Sequence, residues 1–158
     1  MRAIPALPLE PAAFAPFGTV HAAPPGPGRR WDDAALGWRA GLAPSLSVLH
    51  LAPTPPEALL VRTLERHPRT SQTFLPLEVG RWLLVVAPDA ARGGPDGARA
   101  RAFLAGPGIA VTYAVATWHL AMTVLDRPAT MAILMGRDGT PADDEIVEIP
   151  PFRVRVEP

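Results

Sequence analysis

The chain has 158 residues, of which 48% are hydrophobic and 19% charged, and 15 basic side chains balance 15 acidic ones. This length predicts one domain that buries a hydrophobic core. Balanced charge provides no long-range attraction to nucleic acid or to an anionic membrane, so we expect a small-molecule partner. The sequence contains no cysteine and no lysine. Thiolate chemistry and a lysine Schiff base, as pyridoxal phosphate requires, are therefore excluded.

Targeting signals are absent from the sequence pattern. No apolar run approaches the roughly 20 residues that a membrane helix needs. The N-terminal stretch MRAIPALPLE lacks the long apolar core of a signal peptide. We therefore expect a cytoplasmic protein.

Short elements are predicted along the chain because 21 prolines interrupt it, and proline is poorly tolerated inside helices and central strands. A helical turn or two is predicted at residues 10–17, with Phe14 and Phe17 facing inward, and another short helix at residues 32–36. Alternation of apolar and polar residues then predicts strands. The predicted strands are residues 45–51, 59–67, 72–77, 82–87, 120–125, 130–135, 145–149 and 152–156.

This series of short strands predicts the fold class. Turn sequences such as PDAARGGPDG and GRDGTPADD separate the strands. Regular short strands with turns between them are typical of an all-β, mainly antiparallel barrel or sandwich, which protects its edges by closing or by pairing two sheets. We expect this architecture, with a few short helices, in a single domain over residues 1–158.

The most polar strand end lies in residues 64–77, with the sequence LERHPRTSQTFLPL. Side chains alternate along a strand, so Glu65 and His67 are predicted to share one face. A hairpin at residues 68–70 would bring Gln72 back beside them. These three groups could bind a metal or transfer protons. The alternative is a solvated hairpin with a surface Glu–Arg pair.

A second candidate constellation lies in residues 106–120, with the sequence GPGIAVTYAVATWHL. It holds the only tyrosine, Tyr113, and places Trp118 beside His119, whose imidazole could line the mouth of a pocket. The alternative is a core tryptophan next to a histidine that bonds to the backbone. Neither constellation contains a glycine-rich phosphate loop, so we expect no nucleotide cofactor.

Other polar residues receive a structural interpretation. His50 lies in a mostly apolar strand and is predicted to be structural. The acidic run Asp143, Asp144 and Glu145 is interpreted as a solvated loop.

Taken in order, four segments of the sequence resemble the ureidoglycolate lyase family. They are LPLEPAAFAPFGTV, LERHPRTSQTFLPL, WLLVVAPD and RAFLAGPGIAVTYAVATWHL. The resemblance covers nearly the whole chain. Its most specific part is Glu65-Arg66-His67-Pro68, followed by Ser71-Gln72 and Phe74.

The resemblance implies a cupin-like β-barrel, commonly dimeric, that acts in purine and allantoin degradation by splitting ureidoglycolate into glyoxylate and urea. In the general cupin pattern, three histidines and a glutamate hold a metal. The corresponding positions here look like Glu65, His67, Gln72 and His119, a set that suits a divalent ion such as Ni, Mn or Zn. A metal-free polar pocket is the alternative.

The same resemblance implies residue roles. Elimination of urea needs a base for the hydroxyl proton, an acid for the departing nitrogen and a cation for the carboxylate, which Arg30 or Arg66 could pair with bidentately. The candidate catalytic residues are His67, His119, Glu65 and Tyr113. The candidate substrate-binding residues are Arg30, Arg66, Ser71, Gln72 and Trp118.

Three positions depart from the family pattern: Ala114, Val115 and Leu120. Family members usually have a histidine, an arginine and a histidine there. Two alternatives follow from these apolar replacements. One is a non-catalytic cupin-fold protein that binds a small carboxylate, and the other is a related lyase or isomerase for a larger or less polar substrate.

Overall fold

The computed structural model describes residues 1–157 and consists mainly of β-strands. Within these residues the one α-helix, α1, is a single turn at Pro11–Phe14, and turns of 3-10 helix lie at Asp33–Ala35, Pro56–Ala58 and Gly97–Arg99. No helix in this range has the length and apolar character needed to cross a membrane. The strands are β1 (Ala3–Pro8), β2 (Gly18–His21), β3 (Ala43–Leu51), β4 (Leu60–Arg66), β5 (Gln72–Glu78), β6 (Trp82–Ala87), β7 (Arg101–Ala105), β8 (Ala110–Tyr113), β9 (Trp118–His119), β10 (Thr123–Val124), β11 (Ala129–Arg137) and β12 (Glu145–Arg155).

The strands form a closed ring and a second sheet. In the larger sheet the order is β10-β6-β7-β1-β12-β4-β9, and β9 also pairs with β6, which closes six of these strands into a barrel. The second sheet has the order β2-β8-β5-β11-β3. All pairings are antiparallel except those of β1, which runs parallel to both β7 and β12. The predicted all-β, mainly antiparallel barrel is therefore confirmed.

Two hydrophobic cores follow from this arrangement. All six strands of the ring contribute residues to the first core, which lies inside the ring. The second core lies between the ring and the five-stranded sheet. Strand β6 supplies both, since Leu83 and Val85 belong to the first core and Leu84 and Val86 to the second. Burial on both faces explains why Trp82–Ala87 is apolar throughout rather than alternating.

Most predicted elements are confirmed, with shifted ends. The helix α1 lies inside the predicted 10–17 segment, and Phe14 and Phe17 are both buried. The two last predicted strands are one strand, β12, whose register with β4 shifts between Glu148 and Phe152. Pro150 and Pro151 lie at this shift because proline has no N–H for the ladder.

Some predictions of strand position are wrong. Only β10 is strand within the predicted segment 120–125, and β1, β2, β7, β8 and β9 were not predicted. The predicted hairpin at residues 68–70 does not exist either. Strand β4 pairs with β12 and β9, whereas β5 pairs with β8 and β11, so the chain crosses from the ring to the second sheet at this point. Within this crossing segment, Thr70 forms an isolated antiparallel bridge with Trp38.

Candidate active site

A cavity of about 440 Å³ lies between the ring and the five-stranded sheet. We call it the site cavity. Its walls come from β3, β4, β5 and β11, and from the segment that leads into β12. The polar residues that line it are Ser45, Ser47, Glu65, His67, Gln72, Arg137 and Asp144.

Three side chains converge at the ring side of the site cavity. Glu65, His67 and His119 each offer one ligand atom, and these atoms all lie within 4.8 Å of one another. Glu65 and His67 share a face because they are two residues apart at the end of β4. His119 joins them because β9 pairs antiparallel with β4, with Glu65 opposite His119. The predicted shared face of Glu65 and His67 is thus present, although no hairpin produces the cluster.

The two imidazoles are held by their Nδ1 atoms. His119 Nδ1 lies 2.8 Å from the carbonyl oxygen of Thr117, and His67 Nδ1 lies 3.3 Å from that of Asp143. The Asp144 carboxylate is also 3.1 Å from His67 Nδ1. These acceptors place the proton of each neutral ring on Nδ1, so each Nε2 atom carries a free lone pair.

The Nε2 atoms of His67 and His119 lie in the cluster without forming hydrogen bonds to its other side chains. Among the described residues, neither His67 Nε2 nor His119 Nε2 has a hydrogen-bond partner, and both are buried. Glu65 Oε1 is 3.4 Å from His119 Nε2, within ion-pair distance but without the geometry of a hydrogen bond. A buried polar group without a protein partner is uncommon and marks a position where a ligand or ion can bind.

Gln72 adds a third unsatisfied group. It lies at the start of β5, across the site cavity from β4. Its Oε1 atom is buried and has no partner within residues 1–157, while its Nε2 atom contacts the sulfur of Met135 at 3.8 Å. Two imidazole nitrogens, a carboxylate and an amide oxygen are compatible ligands for a divalent transition metal. The residues present therefore fit a metal.

The surroundings control the protonation of these groups. The contact with His119 lowers the pKa of Glu65, so Glu65 is ionised at neutral pH. Burial lowers the pKa of His67, and repulsion by the neighbouring His119 lowers it further, so His67 is neutral there. Burial and the charge of Glu65 raise the pKa of Tyr113. Tyr113 stacks on the His119 ring with a centroid distance of 4.2 Å, and its phenol stays protonated.

Four other candidate residues lie elsewhere. Arg30 donates to Asp32 at 2.8 Å in the long segment before β3, and Arg66 donates to Glu145 at 2.6 Å. The hydroxyl of Ser71 accepts a hydrogen bond from the backbone N–H of Gly37 at 2.9 Å. None of these three residues lines the site cavity.

Trp118 is the fourth of these residues. It is buried in the core inside the ring, and its indole N–H donates to Asp89 at 2.9 Å. The Arg66 guanidinium lies over the indole, 4.4 Å from the ring centroid. The alternative of a core tryptophan next to a histidine that bonds to the backbone therefore describes Trp118. His119 also bonds to the backbone, but in addition it belongs to the cluster with Glu65 and His67.

Sequence reasoning missed several lining residues. Arg137 lies two residues after Met135 on β11, and Ser47 lies two residues after Ser45 on β3. Residues two apart on a strand share a face, so both members of each pair line the cavity. The period of two could have revealed them once the inward face of each strand was known. Asp144 was interpreted as part of a solvated loop, but its carboxylate contacts His67.

The three departures from the family pattern lie outside the site cavity. Ala114 and Val115 line a separate cavity of about 490 Å³, together with Phe17 and Trp118. Leu120 packs against the core inside the ring. The apolar replacements therefore do not change the lining around His67, and they give no structural support to a larger or less polar substrate at that point.

Together, the closed ring, the facing sheet and the Glu-His-His cluster define a cupin-like β-barrel protein with a candidate metal centre. Residues 1–156 match the family model described as ureidoglycolate lyase. The chain therefore belongs to the ureidoglycolate lyase family, as its sequence motifs predicted.

Several curated relatives carry the same description. A ureidoglycolate lyase of Mesorhizobium japonicum is 33% identical over 150 residues, which cover 89% of this chain and 90% of that protein. A putative ureidoglycolate lyase of Agrobacterium fabrum is 32% identical over 153 residues, covering 90% of this chain and 88% of that protein. The match to the ureidoglycolate lyase of Schizosaccharomyces pombe, at 35% identity, covers 55% of this chain and 48% of that protein.

Solved structures of oxalate decarboxylases are also similar. The E162A mutant of the Bacillus subtilis enzyme has a TM-score of 0.43 and 17% identity, covering 67% of this chain and 24% of that chain. A Lactobacillus farciminis oxalate decarboxylase in a formate complex has a TM-score of 0.43 and 13% identity, covering 73% of this chain and 28% of that chain.

Proposed function

We propose that this protein is a ureidoglycolate lyase, which splits ureidoglycolate into glyoxylate and urea in purine and allantoin catabolism. The observation that carries the proposal is the convergence of Glu65, His67 and His119 beside the site cavity of a chain that belongs to this family. In the reaction the hydroxyl proton leaves, the carbon–nitrogen bond breaks, a carbonyl forms and the departing nitrogen takes up a proton. No water is consumed.

The protonation states suggest a division of roles. When no metal occupies them, Glu65, whose pKa is lowered, and neutral His67 both present lone pairs that can accept the hydroxyl proton. Whichever group takes that proton can return it to the departing nitrogen. Tyr113 stays protonated and can donate a hydrogen bond near the stacked His119 ring.

A divalent metal, Ni, Mn or Zn, is part of the proposal. Glu65, His67, His119 and Gln72 would hold it through the carboxylate, the two unsatisfied Nε2 atoms and the amide oxygen. When bound, such an ion supplies a Lewis acid that polarises the substrate hydroxyl. In the metal-free alternative, Glu65 and His67 act on the substrate directly.

The activity is tested with purified protein and ureidoglycolate, before and after treatment with a chelator and after addition of each metal. We expect glyoxylate release above the spontaneous rate, and loss of the excess in His67→Ala and His119→Ala. His50→Ala is the matched control, because His50 is exposed on β3 and bonds only to Thr130 among the described residues. No excess over the spontaneous rate under any of these conditions contradicts the proposal.

We also propose that the protein is a cytoplasmic homodimer. Strand β3 is an outer strand of its sheet, so one side of its backbone is unpaired. Leu46 and Val48 on β3 are 68% and 65% exposed. Pairing of two β3 strands would cover both the free edge and this apolar surface. Light scattering should give twice the chain mass, and Val48→Lys should give monomers.

A further inference from the structure

The site cavity contains one positive side chain in addition to its candidate metal ligands. Of the arginines in residues 1–157, only Arg137, the last residue of β11, lines the cavity. Met135, two residues earlier on the same face, lines it as well. Arg137 is itself exposed, so it lines the cavity from its solvent-accessible side at the end of β11.

The Arg137 guanidinium is largely uncommitted. Its Nη2 atom donates to the carbonyl oxygen of Thr140 at 3.3 Å, and no carboxylate of the described residues pairs with it. The neighbouring Arg69 differs, because it pairs with Asp138 at 2.9 Å. Arg137 thus keeps free N–H groups in the forked arrangement that matches a carboxylate.

Charge balance favours this arginine as a partner for an anionic ligand. Two carboxylates, Glu65 and Asp144, line the same cavity. Unless a cation pairs with it, a ligand carboxylate in this cavity is repelled by both Glu65 and Asp144, and this repulsion weakens its binding. On the neighbouring strand β3, which pairs with β11, the hydroxyls of Ser45 and Ser47 offer neutral hydrogen bonds that suit a ureido group.

We propose that Arg137 is the specificity-determining residue that binds the substrate carboxylate. The site would then select α-ureido carboxylates, with the ureido group toward Ser45 and Ser47 and the reacting carbon toward Glu65 and His67. This inference rests on the proposed lyase function, since it assigns the orientation of that substrate.

The test uses binding of two probes that cannot eliminate urea. Ureidoacetate has the carboxylate and the ureido group of the substrate but lacks the hydroxyl, and 2-ureidoacetamide is its neutral amide. Calorimetry compares the parent protein with Arg137→Gln and Arg137→Lys. We expect Arg137→Gln to weaken ureidoacetate binding by about tenfold or more. Binding of the amide should stay within about twofold, because it carries no charge for Arg137 to pair with.

Arg137→Lys should give an intermediate loss, because lysine keeps the charge but not the fork. Arg92→Gln is the matched control, since Arg92 is exposed and does not line the cavity. The unfolding temperature of each variant shows that it is folded. With ureidoglycolate, Arg137→Gln should raise KM more than it lowers kcat.

Three results would overturn the assignment of Arg137. The first is that Arg137→Gln binds ureidoacetate as tightly as the parent does. The others are that the parent protein binds neither probe, or that it binds both with equal affinity. The lyase proposal fails separately. A parent protein that binds ureidoacetate through Arg137 but releases no glyoxylate keeps the carboxylate site and contradicts the activity.

Discussion

The rings of His67 and His119 lie with their centroids 5.5 Å apart and their planes inclined by 47°, and the Nε2 atom of each is buried. Neither atom has a hydrogen-bond partner within the described part of the chain. One ring nitrogen of each histidine and a carboxylate oxygen of Glu65 lie within 4.8 Å of one another and can bind one ion together.

Metal affinity should depend on the residue at position 72. Gln72→Glu replaces a neutral amide oxygen by a carboxylate, so we expect divalent-metal binding to tighten by about tenfold or more. Gln72→Leu removes the oxygen and should weaken binding to a similar degree. Competition against a chromophoric chelator measures both.

Thr73→Val is a control for these variants, since Thr73 is the next residue on β5 and faces away from the site cavity toward Thr112. Equal metal affinity for Gln72→Glu, Gln72→Leu and the parent would show that position 72 is no ligand.

The stability of the metal-free protein should fall in acid through His67. The pKa of His67 is lowered in the folded protein, mainly by burial. The unfolded chain therefore takes up this proton first, as pH falls below about 6.5. Stability is unaffected above that pH and decreases below it, by at most about 1.4 kcal/mol per pH unit, until the folded pKa is reached.

Denaturant unfolding at pH 8, 6 and 5 measures this dependence in chelator-treated protein. His67→Gln should remove part of the acid destabilisation, whereas His50→Gln should not, because His50 is exposed. Identical pH profiles for His67→Gln and the parent would contradict the assignment.

The packing of Phe14 should contribute strongly to the stability of the fold. Phe14 is fully buried, and its ring packs edge-on against Phe103 and at a tilt against Tyr113. Phe14→Ala should lower the free energy of unfolding by about 3–5 kcal/mol. Leu77→Ala, at a position that is 63% exposed, should change it by less than about 0.5 kcal/mol. Chemical denaturation of both variants makes the comparison, and a loss below 1 kcal/mol in Phe14→Ala would contradict this packing.

Gly136 should tolerate no side chain. A Cβ atom there would lie 2.6 Å from Cβ of Trp38 and 2.9 Å from its Cγ. Gly136 also donates its backbone N–H to the hydroxyl of Thr70 at 2.6 Å. Gly136→Ala should therefore displace Trp38 and destabilise the fold by about 1–3 kcal/mol.

Gly106→Ala is the matched substitution for Gly136→Ala, since nothing lies within 4 Å of the Cβ position there. We expect it to be neutral within about 0.5 kcal/mol. Near-ultraviolet circular dichroism should change in Gly136→Ala and not in Gly106→Ala. Unchanged spectra in both variants would show that Trp38 is not displaced and would contradict the prediction.

Local alternation made the positions of two of the four candidate metal ligands predictable. Glu65 and His67 are two residues apart on one strand, so their shared face follows from the pleat alone. His119 is different, because it meets Glu65 only through the pairing of β9 with β4. Cross-strand register over more than fifty residues is not encoded in any local pattern, and only the motif resemblance grouped His119 with Glu65 and His67.

The position of Gln72 shows the same limit. Its closeness to Glu65 and His67 was predicted from a hairpin that does not form, because β4 and β5 belong to different sheets. Arg30 and Arg66 were chosen as carboxylate partners by residue type. In the folded chain these two arginines pair with Asp32 and Glu145, and Arg137 occupies the site cavity instead.

The sequence by itself determined that this is a neutral, lysine-free and cysteine-free chain of short strands, with its chemistry restricted to histidines, carboxylates, one tyrosine and arginines. Composition and period-two alternation are local properties and can be interpreted without a structure. Only the tertiary structure decided which of those groups meet. Sheet order, ring closure and the crossing between β4 and β5 depend on burial and pairing over the whole chain. They placed Glu65, His67 and Arg137 around one cavity, with His119 beside the first two.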